Sequence, residues 1–217
     1  AFVKVPPTEP TLVVNRKLFD LALARLAEQA GAELRTSTAV SGLLIESGCV
    51  KGVKVVRSGK EQSIRARLVV AADGTEGQVT RWAGWKTIPT LADYYIGAEF
   101  LLGNLYGQID PHVCQYHLDN HFAPGGYLWV FPKSTDNANV GLVISADHAG
   151  VRPAFNLLDH FIAEKFPDAK KMLRIAGGIP VTGALSRLVS DGLLAVGDAA
   201  HQADPLQLTR QLPAVFR

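Results

Sequence analysis

Leu193-Leu194-Ala195-Val196-Gly197-Asp198-Ala199-Ala200-His201 sets a continuous apolar strand against a glycine, an acid and two alanines. Gly197 has no Cβ, so the backbone there can lie close to a ligand. Asp198 offers a carboxylate to vicinal hydroxyls, and a helix starting here would turn its free N–H groups toward phosphate or other electron-rich atoms. That order suits a ribityl chain and a pyrophosphate. It also reads as a plain helix N-cap, because Asp is a preferred capping residue. A second strand of the same kind stands upstream. Leu68-Val69-Val70-Ala71-Ala72 is apolar throughout, as in a strand buried on both faces, and it ends at Asp73-Gly74. In open α/β sheets ligands collect beyond the carboxyl ends of strands, although Asp-Gly is also a common turn pair. If both pairs serve one site, Asp73 and Asp198 must converge.

Around these two strands the chain changes pattern twice. Lys17–Ala30 carries Leu18, Leu21, Ala22 and Leu26 as one apolar stripe and stops at Gly31, which predicts a helix. Ala39–Ile45, Val50–Val56 and Glu61–Ala66 read as a three-stranded meander, and a short helix is expected over Gln78–Ala83. Tyr94–Leu102, His112–Leu118, Tyr127–Phe131 and Asn139–Ser145 then read as an antiparallel sheet, followed by a helix over Pro153–Phe166. The expected organisation is an α/β layer over 11–88, an inserted antiparallel sheet domain over 89–178, a return to the layer over 179–206, and an atypical tail over 207–217.

Composition narrows the function classes. The 217 residues are 47% apolar and 19% charged, which excludes disorder, and a scattered formal charge of +2 offers no nucleic-acid footprint. Cys49 and Cys114 stand too far apart for a CxxC redox pair or a cysteine zinc site, and a reducing, cytoplasmic setting is the default. No His/Glu cluster has metal-ligand spacing, so no metal is expected. No apolar run reaches the roughly 20 residues that span a bilayer. The first residues, Ala1-Phe2-Val3-Lys4-Val5-Pro6-Pro7, have neither an initiating Met nor a signal-peptide core, so the expectation is a chain that begins inside a longer protein.

The order and spacing of several motifs carry a resemblance. Arg16-Lys17-Leu18-Phe19-Asp20, Gly31-Ala32, Val40, Ala71-Ala72-Asp73-Gly74, Gly197-Asp198-Ala199-Ala200-His201 and Asp204-Pro205 together resemble the FAD-dependent family typified by aromatic-ring hydroxylases. Within it, Gly126-Tyr127-Leu128-Trp129-Val130-Phe131-Pro132-Lys133, Asn139-Val140-Gly141 and Gly177-Gly178-Ile179-Pro180 resemble the geranylgeranyl reductases. The resemblance runs from about Val13 to Leu206. It implies an α/β fold: a partial FAD-binding, Rossmann-like layer of the glutathione-reductase/hydroxylase type with an inserted antiparallel substrate sheet.

The resemblance also implies roles. Arg16 and Asp198 would meet the pyrophosphate or ribityl part of FAD, and the Val40 backbone the adenine. Asp73 and Gly74 would serve cofactor and nicotinamide handling, with Gly197, Ala199 and Pro205 completing the flavin contacts. Tyr127, Trp129 and Phe131 alternate, so they share one face of a strand, either in substrate contact or in plain core packing. The implied activity is reduction of C=C bonds in geranylgeranyl or polyprenyl chains of a lipid or pigment, with NAD(P)H or another reductant as electron donor and no side-chain nucleophile. Peripheral contact with a membrane follows from a lipid substrate. Two other readings stay open: a monooxygenase or halogenase of the same fold, and a non-catalytic fragment that binds no cofactor. The departures are the missing GxGxxG turn, Gly77 where the family usually has Ser, and Gln207–Pro213 in place of a Gly-rich helix start, and the expectation is that the chain by itself is inactive. His201 and Gln202 read as surface or capping residues.

Overall fold

A computed structural model describes residues 12–150 and 153–202. Helix α1, Arg16–Gln29, keeps none of its residues buried, and Leu18, Leu21 and Leu26 along its apolar stripe are all exposed. Strands β1 (Thr38–Glu46), β2 (Cys49–Arg57) and β3 (Lys60–Arg65) form the expected antiparallel meander in the order β1-β2-β3. Both hairpins turn on a Ser-Gly pair, Ser47-Gly48 and Ser58-Gly59, with all four residues at positive φ. That backbone matches the twist of the paired strands.

The second sheet joins segments from both ends of the chain. Strand β4 (Val69–Ala71) lies parallel to β11 (Leu193–Ala195), and β10 (Val189–Ser190) pairs antiparallel with β11. Helix α2 (Val79–Trp82) follows β4. Its Val79 packs with Val50, Ala71, Trp85, Leu193, Ala195 and Ala200 in one small core. The expectation that β4 is covered on both faces is corrected for the described residues: no described layer packs on the face that carries Val70, and Leu68 and Val70 are half exposed. Only the face carrying Ala71 meets that core.

The third sheet has five strands in the order β6-β7-β8-β5-β9: β5 (Tyr94–Gly103), β6 (Gln115–His117), β7 (Tyr127–Pro132), β8 (Ala138–Ser145) and β9 (Lys170–Pro180). Strand β6 is shorter than the expected His112–Leu118, and β9 has no counterpart in the sequence reading. A short helix α3 (Ala146–Ala149) precedes α4 (Ala154–Lys165), which starts after Pro153 at φ −55°. Helix α4 buries Ala154, Leu157, Leu158, Phe161 and Ile162 against Phe100, Leu102, Leu128, Val130, Val140 and Leu142. All six sheet residues are at most 8% exposed, so this is the larger core of the molecule.

By backbone contacts the chain divides into two compact units. One takes the residues up to Ala22 together with Thr90–Gly178, and the other takes Leu23–Pro89 together with the residues from Ile179 onward.

Candidate functional site

The parallel pairing of β4 and β11 brings the two Asp-bearing turns together. Ala71 stands opposite Ala195, and the Val196 N–H donates to the Ala71 carbonyl at 3.0 Å. Asp73-Gly74 and Gly197-Asp198 therefore leave the carboxyl ends of two neighbouring parallel strands, side by side. Gly74 (φ +77°) and Gly197 (φ +61°) both hold the left-handed backbone that favours glycine, and a Cβ at either would meet nothing within 4 Å.

The two aspartates are used differently. Asp73 Oδ2 accepts the N–H of Gln78 at 2.7 Å and of Val79 at 3.0 Å, closing the N-terminus of α2. Gly77 lies under the same carboxylate, where a Cβ would sit 2.5 Å from Oδ1, so the space a Ser side chain would need is filled. Arg81 ties the loop further, donating from Nε to the Gly77 carbonyl at 2.9 Å and from Nη2 to that of Glu76 at 2.6 Å.

Asp198 lies half-buried in a 3-10 turn, Gly197–Ala200, and not at the start of the longer helix that the sequence suggests. His201 ends the turn in the left-handed region at φ 54°. The Gly197 N–H donates to Gln202 Oε1 at 3.0 Å. The buried His201 ring meets Thr182 Oγ1 at 3.0 Å through Nδ1. Burial pushes the His201 pKa below the usual histidine range, against a backbone hydrogen bond at Thr87. His201 and Gln202 thus shape the turn from within, and Ala199 is buried beneath it. The donor set suits a hydroxylated chain: a carboxylate accepts from hydroxyls and repels phosphate, and two glycines leave room for it.

The remaining expected residues fall elsewhere. Arg16, the first residue of α1, makes a bidentate pair with Asp20, both bonds 3.0 Å, on the helix surface. Val40 lies on β1 beside an irregularity in the β1–β2 register and is 42% exposed. Pro205 lies outside the described residues.

In the five-stranded sheet Leu128 and Val130 of β7 enter the core with α4, which turns Tyr127, Trp129 and Phe131 to the opposite face. Their rings form a row, 6.1 Å between the centroids of Tyr127 and Trp129 and 6.1 Å between those of Trp129 and Phe131. Tyr116 of β6 lies against both outer rings, at 5.7 and 5.2 Å. The sequence reading did not include Tyr116, nor Glu99 of β5. Glu99 Oε2 accepts the Trp129 Nε1–H at 3.1 Å. Burial holds the Glu99 carboxyl above the usual range, opposed by the Trp129 bond and by Lys133. The signal was present, since Glu99 is the one charged residue in an otherwise apolar strand, where carboxylates are rarely buried without a partner. Among the described residues no group of three or more His, Cys, Asp and Glu is arranged to hold a metal ion, and no helix is long and apolar enough to cross a membrane.

Comparison with known proteins finds two family matches along the chain. The sequence matches the FAD binding domain family over residues 4–120 and the geranylgeranyl reductase catalytic domain over 93–179. It is 43% identical to the digeranylgeranylglycerophospholipid reductase of Methanocella arvoryzae, covering 94% of this chain and 51% of that protein. Identity to the Methanosarcina acetivorans protein of the same name is also 43%, over 89% of this chain and 48% of the relative. The chain thus spans about half the length of the curated relatives it matches. A geranylgeranyl bacteriochlorophyll reductase-like protein from Thermoplasma acidophilum superimposes with a TM-score of 0.84 at 34% identity, over 89% of this chain and 49% of that one. The myxobacterial chondrochloren halogenase CndH shares the fold, with a TM-score of 0.75 at 21% identity over 91% of this chain and 48% of its own. The chain belongs to the FAD binding domain family, and its five-stranded sheet region matches the geranylgeranyl reductase catalytic domain.

Proposed function

We propose that this chain is the part of an FAD-dependent reductase that holds the flavin's ribityl region and walls the polyprenyl substrate, in an enzyme that saturates C=C bonds of geranylgeranyl chains on a glycerophospholipid or related lipid. The observation that carries the reading is the parallel register of β4 and β11, which puts Asp73-Gly74 beside Gly197-Asp198. The relatives named as digeranylgeranylglycerophospholipid reductases support the substrate class.

The division of labour follows the two units except at Arg16, which groups with the sheet unit by backbone contacts. The unit of Leu23–Pro89 and the residues from Ile179 onward supplies the cofactor side: Asp198 accepts hydrogen bonds from ribityl hydroxyls, and the glycine turns at 74 and 197 let the cofactor approach the backbone. Asp73 acts through the turn it holds closed. Arg16 is read as a pyrophosphate contact, which requires it to leave Asp20, and the Val40 backbone as an adenine contact. FAD, when bound, supplies the hydride chemistry. The sheet unit supplies the apolar, aromatic surface of Tyr127, Trp129 and Phe131, which binds a polyprenyl chain and keeps water from it. NAD(P)H or another two-electron reductant recharges the enzyme, and the lipid substrate brings it to a membrane surface.

Anaerobic incubation of the flavin-loaded full-length enzyme that contains this chain with a reductant and a geranylgeranyl ether lipid tests this. The product should gain two hydrogens for each double bond lost. Turnover that requires and consumes oxygen would instead assign a monooxygenase or halogenase. Protein that stays colourless in added FAD would remove the cofactor reading for this chain.

A further inference from the structure

We propose that Glu99 is a positioning residue for the aromatic face: its carboxyl pins the Trp129 indole flat across the neighbouring strand, giving a polyprenyl chain a continuous floor. The inference rests on the reading of that face as the substrate wall. In the sheet register Trp129 of β7 stands opposite Gly141 of β8, and Gly141 opposite Glu99 of β5. The indole bridges this three-strand interval, with its Nε1–H 3.1 Å from Glu99 Oε2. It can do so only because position 141 has no side chain. A Cβ there would fall against the indole Cζ2 and 2.6 Å from Cε2.

An indole has a single N–H and is a donor only, so one acceptor at a fixed point determines how the ring plane lies. Once laid down, the ring stacks on Phe131 with an interplanar angle of 28° and tilts against Tyr127 at 59°. Tyr116 closes the row against both outer rings. Burying a carboxyl on such a face is unfavourable by itself, and an apolar residue at 99 would pack there with less desolvation. A Trp held by packing alone would not need it. The arrangement makes sense if the orientation of Trp129, and not the mere presence of an aromatic, matters to what lies on it.

The test uses the whole chain with radiolabelled geranylgeraniol in detergent micelles, binding being measured by retention of the label, and Trp129 emission is read separately with a Trp129→Phe chain as the blank for Trp82 and Trp85. Glu99→Leu removes the acceptor and should weaken binding about five-fold, the equivalent of one ordinary hydrogen bond. Its Trp129 emission should shift. Glu99→Gln keeps an acceptor oxygen and should restore both readouts to within about two-fold of the parent. Gly141→Ala leaves Glu99 in place but lifts the indole, and should behave like Glu99→Leu. It carries the same test if Glu99→Leu fails to fold. Parental binding and unshifted emission in both Glu99→Leu and Gly141→Ala, with Trp129→Ala impaired, would overturn the role of Glu99 and leave the substrate wall standing. Parental binding in Trp129→Ala would overturn the substrate wall itself, and this inference with it.

Discussion

Asp73→Ala separates an aspartate that shapes a turn from one that touches a ligand. In the structure Asp73 Oδ2 takes two N–H groups, from Gln78 at 2.7 Å and Val79 at 3.0 Å. Two charge-assisted bonds in a dry site would be worth about 1.5–3 kcal/mol each. Here the Gln78 bond is exposed and water can replace most of it, whereas the Val79 bond is partly buried. Loss of a helix N-cap generally costs about 0.5–2 kcal/mol, and the second donor places this case in the upper half, about 1–2 kcal/mol. For a protein of this size that lowers Tm by about 2–8 °C. Thermal and urea unfolding, followed by far-ultraviolet circular dichroism with and without saturating FAD, measure it. A cap is lost equally in both conditions, so the ligand-induced rise in Tm should survive the substitution. Unchanged stability of the ligand-free chain, with FAD affinity lost, would refute the reasoning and make Asp73 a direct cofactor contact.

Asp198→Ala should lower FAD affinity by at least about ten-fold for the loss of a charge-assisted partner. Equilibrium titration of flavin fluorescence decides it, and an unchanged Kd would remove the ribityl role. Glu99 has a folded-state pKa raised above its ordinary value by burial, so its contribution to stability is fully present below the ordinary carboxyl range and is lost as pH rises through the folded value. Glu99→Gln should abolish that part of the decline in unfolding free energy across the pH series, and a parental pH profile would contradict the assignment. Phe161 is 2% exposed in the centre of the larger core, and Phe161→Ala should cost about 3–5 kcal/mol by urea denaturation.

Local chemistry made much of this protein legible. The meander was readable because Ser47-Gly48 and Ser58-Gly59 are turn pairs between apolar runs, and α4 because its apolar residues recur at helical spacing. The alternation of Tyr127, Trp129 and Phe131 settled in advance that they share a face. Strand β9 was not readable. Its sequence, Lys170–Pro180, mixes charged residues and glycines, and it forms as an edge strand because β5 offers it a partner. Leu68 and Val70 misled for the converse reason: an apolar run states what a strand can bury, and whether a neighbour covers it depends on the sheet.

The amino-acid order alone therefore determined most of the local elements, β9 excepted, the aromatic row and, through spaced motifs, the family resemblance. The pairing of β4 with β11, the capture of the Asp73 carboxylate by α2, the closing of Gly197 by Gln202 and the reach of Trp129 over Gly141 to Glu99 were decided only by tertiary structure. The physical reason is range. Turns and periodicity act over a few residues and leave their mark on neighbouring letters, whereas a hydrogen bond across a sheet is fixed by which strands come to lie side by side.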